Sequence, residues 1–342
     1  MDNAPTGSDA RTGATLGPLK TWSYLAAQKR RPSEYEIVSV HTLYNNDNAQ
    51  VPLELAAGVP MNRWYRRYRN ESRLRHADWN AFRDPDARVY RSYVAAQDKE
   101  EIYVDGLLDQ YNALGHDARL APAWAETLAR LYTPLRYLLH AAQMCAAYSV
   151  TMAPSSTLAN CAVFEMADQF RWVSRVAYRT AELAKAWPGL GFRTGERRRW
   201  EEDPAWQPYR MLMEKLLATY DWGESVVALN VVALPAVDAG LRLLADSALE
   251  QGDPLTGFLL EAQLKDSARR NRWVRAFMQF AQDQDGSRDA VAEWLAKWQP
   301  LGEAAAAAYG EDLPGGAGRA ATAIQAMRGL QDTLAAARAA AP

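Results

Sequence analysis

From Asp86 to Trp298 the apolar residues recur at the three- and four-residue spacing of a buried helix face, interrupted at intervals by capping residues and prolines. Asp86 to Asn112 is predicted as the first helix, with Tyr93, Ala96, Tyr103 and Leu107 among its apolar positions and Gly115 ending it. A second is predicted from about Leu120 to Val150, kinked at Pro134. A third starts at Ser155 or Ser156, either of which can cap it, and ends near Ala186 before Pro188. Two Asp-Pro pairs, Asp203-Pro204 and Asp253-Pro254, predict further helix starts. An Asp at the N-cap accepts from one orphan amide, and a Pro in the first helical position removes another. Asp221 with Glu224 makes a capping-box-like pair that opens a helix to about Leu249, kinked at Pro235. The Asp253 helix reaches about Gln284, and Ser287 caps a last one ending near Trp298.

The ends of the chain break this pattern. Residues 1–17 are polar and rich in Gly, Ala and Thr, which predicts disorder. Residues 18–85 predict an irregular arm, punctuated by Pro32, Pro52, Pro60 and Pro85 and by an Asn-rich cluster at Asn45 to Asn48. Within it, Ile37 to Tyr44 is β-branched enough to predict one short strand. Residues 86–300 form the helical bundle, and residues 301–342 an alanine-rich peripheral helix and weakly packed tail split by Pro314-Gly315-Gly316. The fold class is therefore all-α.

Composition narrows the function. The 342 residues are 49% apolar, enough for a large core, and the net charge of −2 offers phosphate backbones no basic field. Nucleic acid is not an expected partner. No apolar run approaches the roughly 20 residues that cross a bilayer, and the N-terminus lacks the apolar core of a signal peptide, so no membrane contact and a cytoplasmic location are expected. Cys145 and Cys161 fall in apolar helical stretches without a CxxC motif and read as buried structural thiols. Much of the aromatic content lies in the arm, and an extended aromatic segment of that kind buries itself poorly unless it lies against another surface.

A helical bundle of this size invites a search for di-iron ligands, which such bundles take from Glu-x-x-His pairs on two helices. None exists here: Val38, Arg73, Ala113 and Tyr137 stand three residues before His41, His76, His116 and His140. Glu165 and Asp168, three apart on the stripe that carries Leu158, Cys161, Trp172 and Val176, are the one arresting carboxylate pair. They read as buried acids paired to an Arg or a hydroxyl on the next helix, the competing reading being a remnant or real metal site. His140, on an apolar helix, reads as a hydrogen-bonded core residue, and the other three histidines are assigned no chemistry. The run Glu196-Arg197-Arg198-Arg199-Trp200 reads as a solvated loop or docking contact. Arg63, Trp64, Tyr65, Arg67 and Tyr68 join the residue types that dominate interface hot spots and are the candidate subunit interface. Gly-rich phosphate loops and a G-x-S-x-G elbow are missing, so no catalytic, cofactor-binding or metal-binding residue is assigned.

Nine short stretches in order carry a resemblance that covers about Leu19 to Tyr309. They include Arg30-Arg31-Pro32-Ser33-Glu34-Tyr35-Glu36, Pro60-Met61-Asn62-Arg63-Trp64-Tyr65, Phe82-Arg83-Asp84-Pro85-Asp86, Met152-Ala153-Pro154-Ser155-Ser156-Thr157 and Asp221-Trp222-Gly223-Glu224. The chain resembles the beta subunit of the hydroxylase in bacterial multicomponent di-iron monooxygenases, in the toluene and alkene branch. The resemblance implies a ferritin-like, ribonucleotide-reductase small-subunit-like bundle without a di-iron site, preceded by an irregular arm that wraps partner subunits. It implies alpha and gamma partners in an (alpha-beta-gamma)2 complex, with the di-iron centre in alpha. It further implies an effector protein, and electrons from NADH through FAD and a Rieske 2Fe-2S ferredoxin. The expected role is a non-catalytic structural subunit of an aromatic-hydrocarbon monooxygenase acting on a substrate such as toluene. The alternatives are the same role with an alkene or isoprene, or a self-standing di-iron oxidase.

Overall fold

The computed structural model describes residues 32–42 and 59–335, and within these no strand occurs. The predicted disorder of residues 1–17 lies outside the described residues, as do most of the arm before Val59 and the last residues of the tail. The first described helix, α1 (Glu34–Ser39), replaces the predicted strand. Ser33 Oγ accepts from the Glu36 amide at 3.2 Å and the Glu36 carboxylate accepts from the Ser33 amide at 2.9 Å. That reciprocal capping box starts a helix, and the β-branched Ile37 and Val38 simply ride on its exposed side. Next, α2 (Pro60–Tyr65) runs into a wider π-helical turn, Arg66–Asn70.

The bundle begins with α3 (Tyr90–Ala113), closed by Gly115 in the left-handed region at φ 61°. Its start is delayed past Asp86 because the Asp84 carboxylate gathers the Asp86 and Arg88 amides into a turn. Helix α4 (Pro122–Thr127) passes through a π-turn, Leu128–Tyr132, before Pro134, and α5 (Leu135–Met152) follows, so the predicted kink falls where the π-turn and proline coincide. Ser155 caps α6 (Ser156–Ala186), the longest helix described, which packs along the length of α5. The short α7 (Glu196–Glu202) precedes α8 (Gln207–Leu217).

Here Asp203-Pro204 does not open a helix. Asp203 closes α7 instead, and its carboxylate is engaged by Arg130 at 2.6 and 2.9 Å; a long-range ion pair took the cap residue. Asp221 does cap α9 (Trp222–Val227), accepting from the Glu224 amide at 3.0 Å. The Glu224 side chain turns away to Lys297 and Trp298, so the capping box is half made. A π-turn, Ala228–Ala233, leads to α10 (Leu234–Glu250) with Pro235 in its first turn. Trp222–Glu250 is apolar and long enough on composition to cross a membrane, but 94% of its most apolar window is buried within the chain, which makes it the central core helix. Asp253 caps α11 (Pro254–Ala281) as predicted.

The last predicted helix is corrected in both bounds. Helix α12 (Asp285–Glu311) runs straight through Pro300, and Ser287 lies inside it, bonded to the Arg75 backbone rather than capping. A mid-helix proline costs about 3 kcal/mol. Burial of Trp298, Ala305, Ala306 and Tyr309 on either side offsets that cost. The alanine-rich region then forms α13 (Ala317–Ala335), which packs firmly on α10, α11 and α12 through Ala323, Met327 and Leu334. Small residues permit the close approach: a Cβ on Gly302 would meet Met327 Cε at 2.4 Å.

Candidate functional site

Helices α3, α6, α10 and α11 face one another around the interior where a helical bundle would hold a metal. Helix α6 contributes Glu165, Asp168, Gln169 and Trp172 at three- and four-residue spacing, hence on one inward stripe. Helix α10 contributes Asp238, and α11 contributes Asp266, Ser267 and Arg270; only about 10 Å³ of cavity remains among them. Every aspartate there has a cation of its own. Asp168 accepts from Tyr93 Oη at 2.9 Å, from Gln97 Nε2 at 3.0 Å and from Arg269. Asp266 accepts from Trp172 Nε1 at 2.8 Å, from Gln97 Nε2 at 3.1 Å and from Arg171. Asp238 accepts from Arg270 at 2.5 Å and from Ser267 Oγ at 2.7 Å.

Glu165 differs. It is buried, its Oε1 has no hydrogen-bond partner, and Gln169 one turn on also carries an unpartnered Oε1. Burial pushes the Glu165 carboxyl up to about 8, with Arg270 pulling against the rise and Asp168 adding to it. Burial, then the neighbouring Asp266, likewise pushes Asp168 up to about 7 against the pull of Arg269. The expectation of buried acids paired to the next helix thus holds for Asp168, through Arg269 of α11, whereas Glu165 has no such bond. Guanidinium groups balance these carboxylates, and among the described residues no three His, Cys, Asp or Glu side chains are placed to share a metal ion. This interior is charged, filled and cross-linked, with almost no free volume among its side chains.

The other singled-out residues scatter. His140 is exposed on α5, correcting the core reading, because the apolar neighbours Leu138 and Leu139 face inward while position 140 falls on the opposite side. His76 stacks on Phe280 with centroids 3.8 Å apart, and His41 is an exposed turn residue at φ 52°. Both cysteines are free and buried. The basic run is a helical turn in which Arg197 pairs with Glu201 at 2.8 Å and Arg199 donates to the Leu190 carbonyl at 2.7 Å.

A second buried network escaped the reading of the sequence. His116 Nε2 lies 2.9 Å from Asp253 Oδ1, Trp124 Nε1 donates to Asp253 Oδ2 at 2.9 Å, and Asp253 also caps α11. Burial pushes the Asp253 carboxyl up, but the His116 bond and the Arg179 guanidinium outweigh it and leave the group below its ordinary value. The Asp253-Pro254 cap was legible; its partners, more than a hundred residues away, were not.

The candidate interface residues come together on α2 and its π-turn. Trp64 Nε1 donates to Tyr148 Oη at 3.0 Å, and Trp64, Tyr68 and Tyr220 form a ring cluster with centroids 4.5 to 5.5 Å apart. Arg69 lies over the Tyr65 ring at 4.6 Å. The aromatic side chains are half-buried against the bundle, whereas Arg63, Arg66 and Arg67 are exposed.

Residues 64–285 match the profile of the methane/phenol/alkene hydroxylases. The chain belongs to that family. Over 293 residues it is 45% identical to the hydroxylase component subunit beta of the toluene-4-monooxygenase system of Ectopseudomonas mendocina, covering 85% of this chain and 90% of that one. A solved structure of toluene 4-monooxygenase with toluene in its resting active site superposes with a TM-score of 0.82 at 44% identity, covering 86% of this chain and 97% of the other. Phenol hydroxylase from Pseudomonas sp. OX1 shares the fold at TM-score 0.74 and 20% identity, covering 97% of each chain. This family member is a beta-type hydroxylase subunit of a multicomponent monooxygenase, with the ferritin-like helical fold.

Proposed function

We propose that this chain is the non-catalytic beta subunit of an aromatic-hydrocarbon monooxygenase hydroxylase, with toluene or a close relative as substrate. It supports an alpha subunit that carries the di-iron centre and activates dioxygen. A small gamma subunit completes each protomer of an (alpha-beta-gamma)2 complex in the cytoplasm. An effector protein and a Rieske 2Fe-2S ferredoxin dock on that complex, with electrons from NADH entering through FAD. The observation that carries this reading is the 45% identity to a toluene-4-monooxygenase beta subunit over 85% of the chain. The filled bundle interior supports it: its buried aspartates are balanced by Arg269, Arg270 and Arg171.

The role is architectural. A catalytic constellation displaced by about an ångström can lose on the order of 100-fold in rate, so a rigid subunit against the alpha ligand helices protects turnover. The N-terminal arm, residues 18–85 with Arg63, Trp64, Tyr65, Arg67 and Tyr68 within it, contacts the partner subunits. Native mass spectrometry of the complex captured through a tag on this chain tests the reading. The expected particle holds two copies each of this chain, an iron-bearing larger subunit and a small third subunit. Recovery of this chain alone, or as a homodimer carrying its own iron, overturns it. Substrate class is read separately from product analysis with toluene, isoprene and propene.

A further inference from the structure

Glu165 and Gln169 stand one turn apart on α6, so their side chains leave the helix on the same inward side. Both are buried, at 3% and 9% exposure, and in each the Oε1 atom has no hydrogen-bond partner. Both line the same cavity of about 10 Å³, walled by Leu139 of α5, Leu234 and Leu241 of α10 and Ser267 of α11. A cavity of about that size holds a single water molecule and nothing larger, provided roughly two to four polar groups face it. Ser267 Oγ gives its hydrogen to Asp238 at 2.7 Å and keeps lone pairs to spare. The aspartates around the cavity are already matched: Asp168 by Arg269, Asp266 by Arg171 and Asp238 by Arg270.

We propose that this cavity is a binding site for one structural water molecule, held between Glu165 Oε1, Gln169 Oε1 and Ser267 Oγ. The ligand must donate hydrogen bonds, because the Gln169 carbonyl oxygen only accepts and the Ser267 hydrogen is already spent. It must be as small as water, because the walls leave no more room. It is neutral, because each aspartate has its own guanidinium and only an ionised Glu165 would balance a further cation. Burial, and then Asp168, hold the proton on the Glu165 carboxyl against the pull of Arg270. A water has two hydrogens for Gln169 and Ser267 and a lone pair for the Glu165 hydroxyl, so one molecule satisfies all three. It joins α6 to α11 at the acid of this interior that no guanidinium bonds. The site lies wholly within this chain and does not depend on its partners.

High-resolution crystallography of the assembly in which this chain is purified, near neutral pH, tests the site. The expected result is one fully occupied density peak at roughly 2.6 to 3.2 Å from Glu165 Oε1 and Gln169 Oε1. A second crystal soaked in thallium(I) is expected to show no anomalous signal there, whereas a signal would make it a monovalent-cation site and overturn the proposal. The proposal also fails if no peak lies between the two side chains. It fails equally if they bond directly, through a Gln169 amide turned to donate to Glu165 or through the Glu165 proton itself. Gln169→Leu keeps the volume while removing one acceptor, and is expected to lose the peak. A peak of unchanged height in that variant refutes the assigned partners. Should the variant not fold, the unsubstituted crystals still decide the matter.

Discussion

Replacing Glu165 by Gln should stabilise this protein near neutral pH, and by an amount that depends on pH in a defined way. The Glu165 side chain is 3% exposed, with one oxygen unpartnered. Burial pushes its carboxyl up to about 8 in the fold from an ordinary 4.5. Well below pH 4.5 both folded and unfolded chains carry the proton, and the ionisation of Glu165 costs the fold nothing. As pH rises, the unfolded chain releases the proton while the folded chain keeps it, so stability falls by about 1.4 kcal/mol per unit. The accumulated loss is about 3 kcal/mol at pH 7 and levels off near 5 kcal/mol once the folded pKa is passed. Gln removes the titration while keeping the shape, and its amide has the unpartnered Gln169 Oε1 one turn away as an acceptor. The assay is urea unfolding of the purified complex at fixed protein concentration, followed by tryptophan fluorescence from about pH 5 to 8.5. Near pH 5 the two proteins should be alike, and by pH 7 the variant should lead by about 3 kcal/mol. A gap that does not change with pH, or a variant weaker than the parent at pH 7, refutes the reasoning.

Asp238→Ala should destabilise by about 3 to 5 kcal/mol in the same assay, because it strands the buried Arg270 without a counter-charge; Asp238→Leu with Arg270→Met should cost far less. Gly302→Ala should cost about 1 to 3 kcal/mol through the clash with Met327 Cε at 2.4 Å and Val232 Cγ1 at 2.7 Å. Adding Met327→Ala should relieve most of that clash at the expense of its own cavity, so a double-mutant cycle should show non-additive coupling. Burial pushes the Cys145 thiol up to about 12 and the Cys161 thiol well above its ordinary range, so neither should react with a disulfide reagent at pH 8 until the chain unfolds. Labelling of the native complex within minutes would contradict that.

The contrast between caps and pairs explains how far the sequence could be read. Ser155, Asp221 and Asp253 each act within three residues of themselves, so their capping roles were visible in one dimension. The period of the apolar positions likewise set the all-α class, and the missing Glu-x-x-His pairs settled that no such ligand set exists in this chain. Asp203 carried the same local signal as Asp253, yet Arg130 claimed it from 73 positions away. Pro300 and the alanine-rich tail looked like an ending because local propensity knows nothing of Trp298, Tyr309 and Met327, whose burial carries the helices onward. At the site, the stripe through Glu165 and Asp168 was a matter of helical spacing. Which of the two acquires a guanidinium and which is left bare depends on how α11 lies against α6. The sequence by itself determined the all-α class, the helix starts at Ser155, Asp221 and Asp253, the inward stripe through Glu165 and Asp168, and the lack of Glu-x-x-His pairs. Only the tertiary structure decided which charges meet, because ion pairing between distant helices depends on their relative placement and no local spacing encodes it.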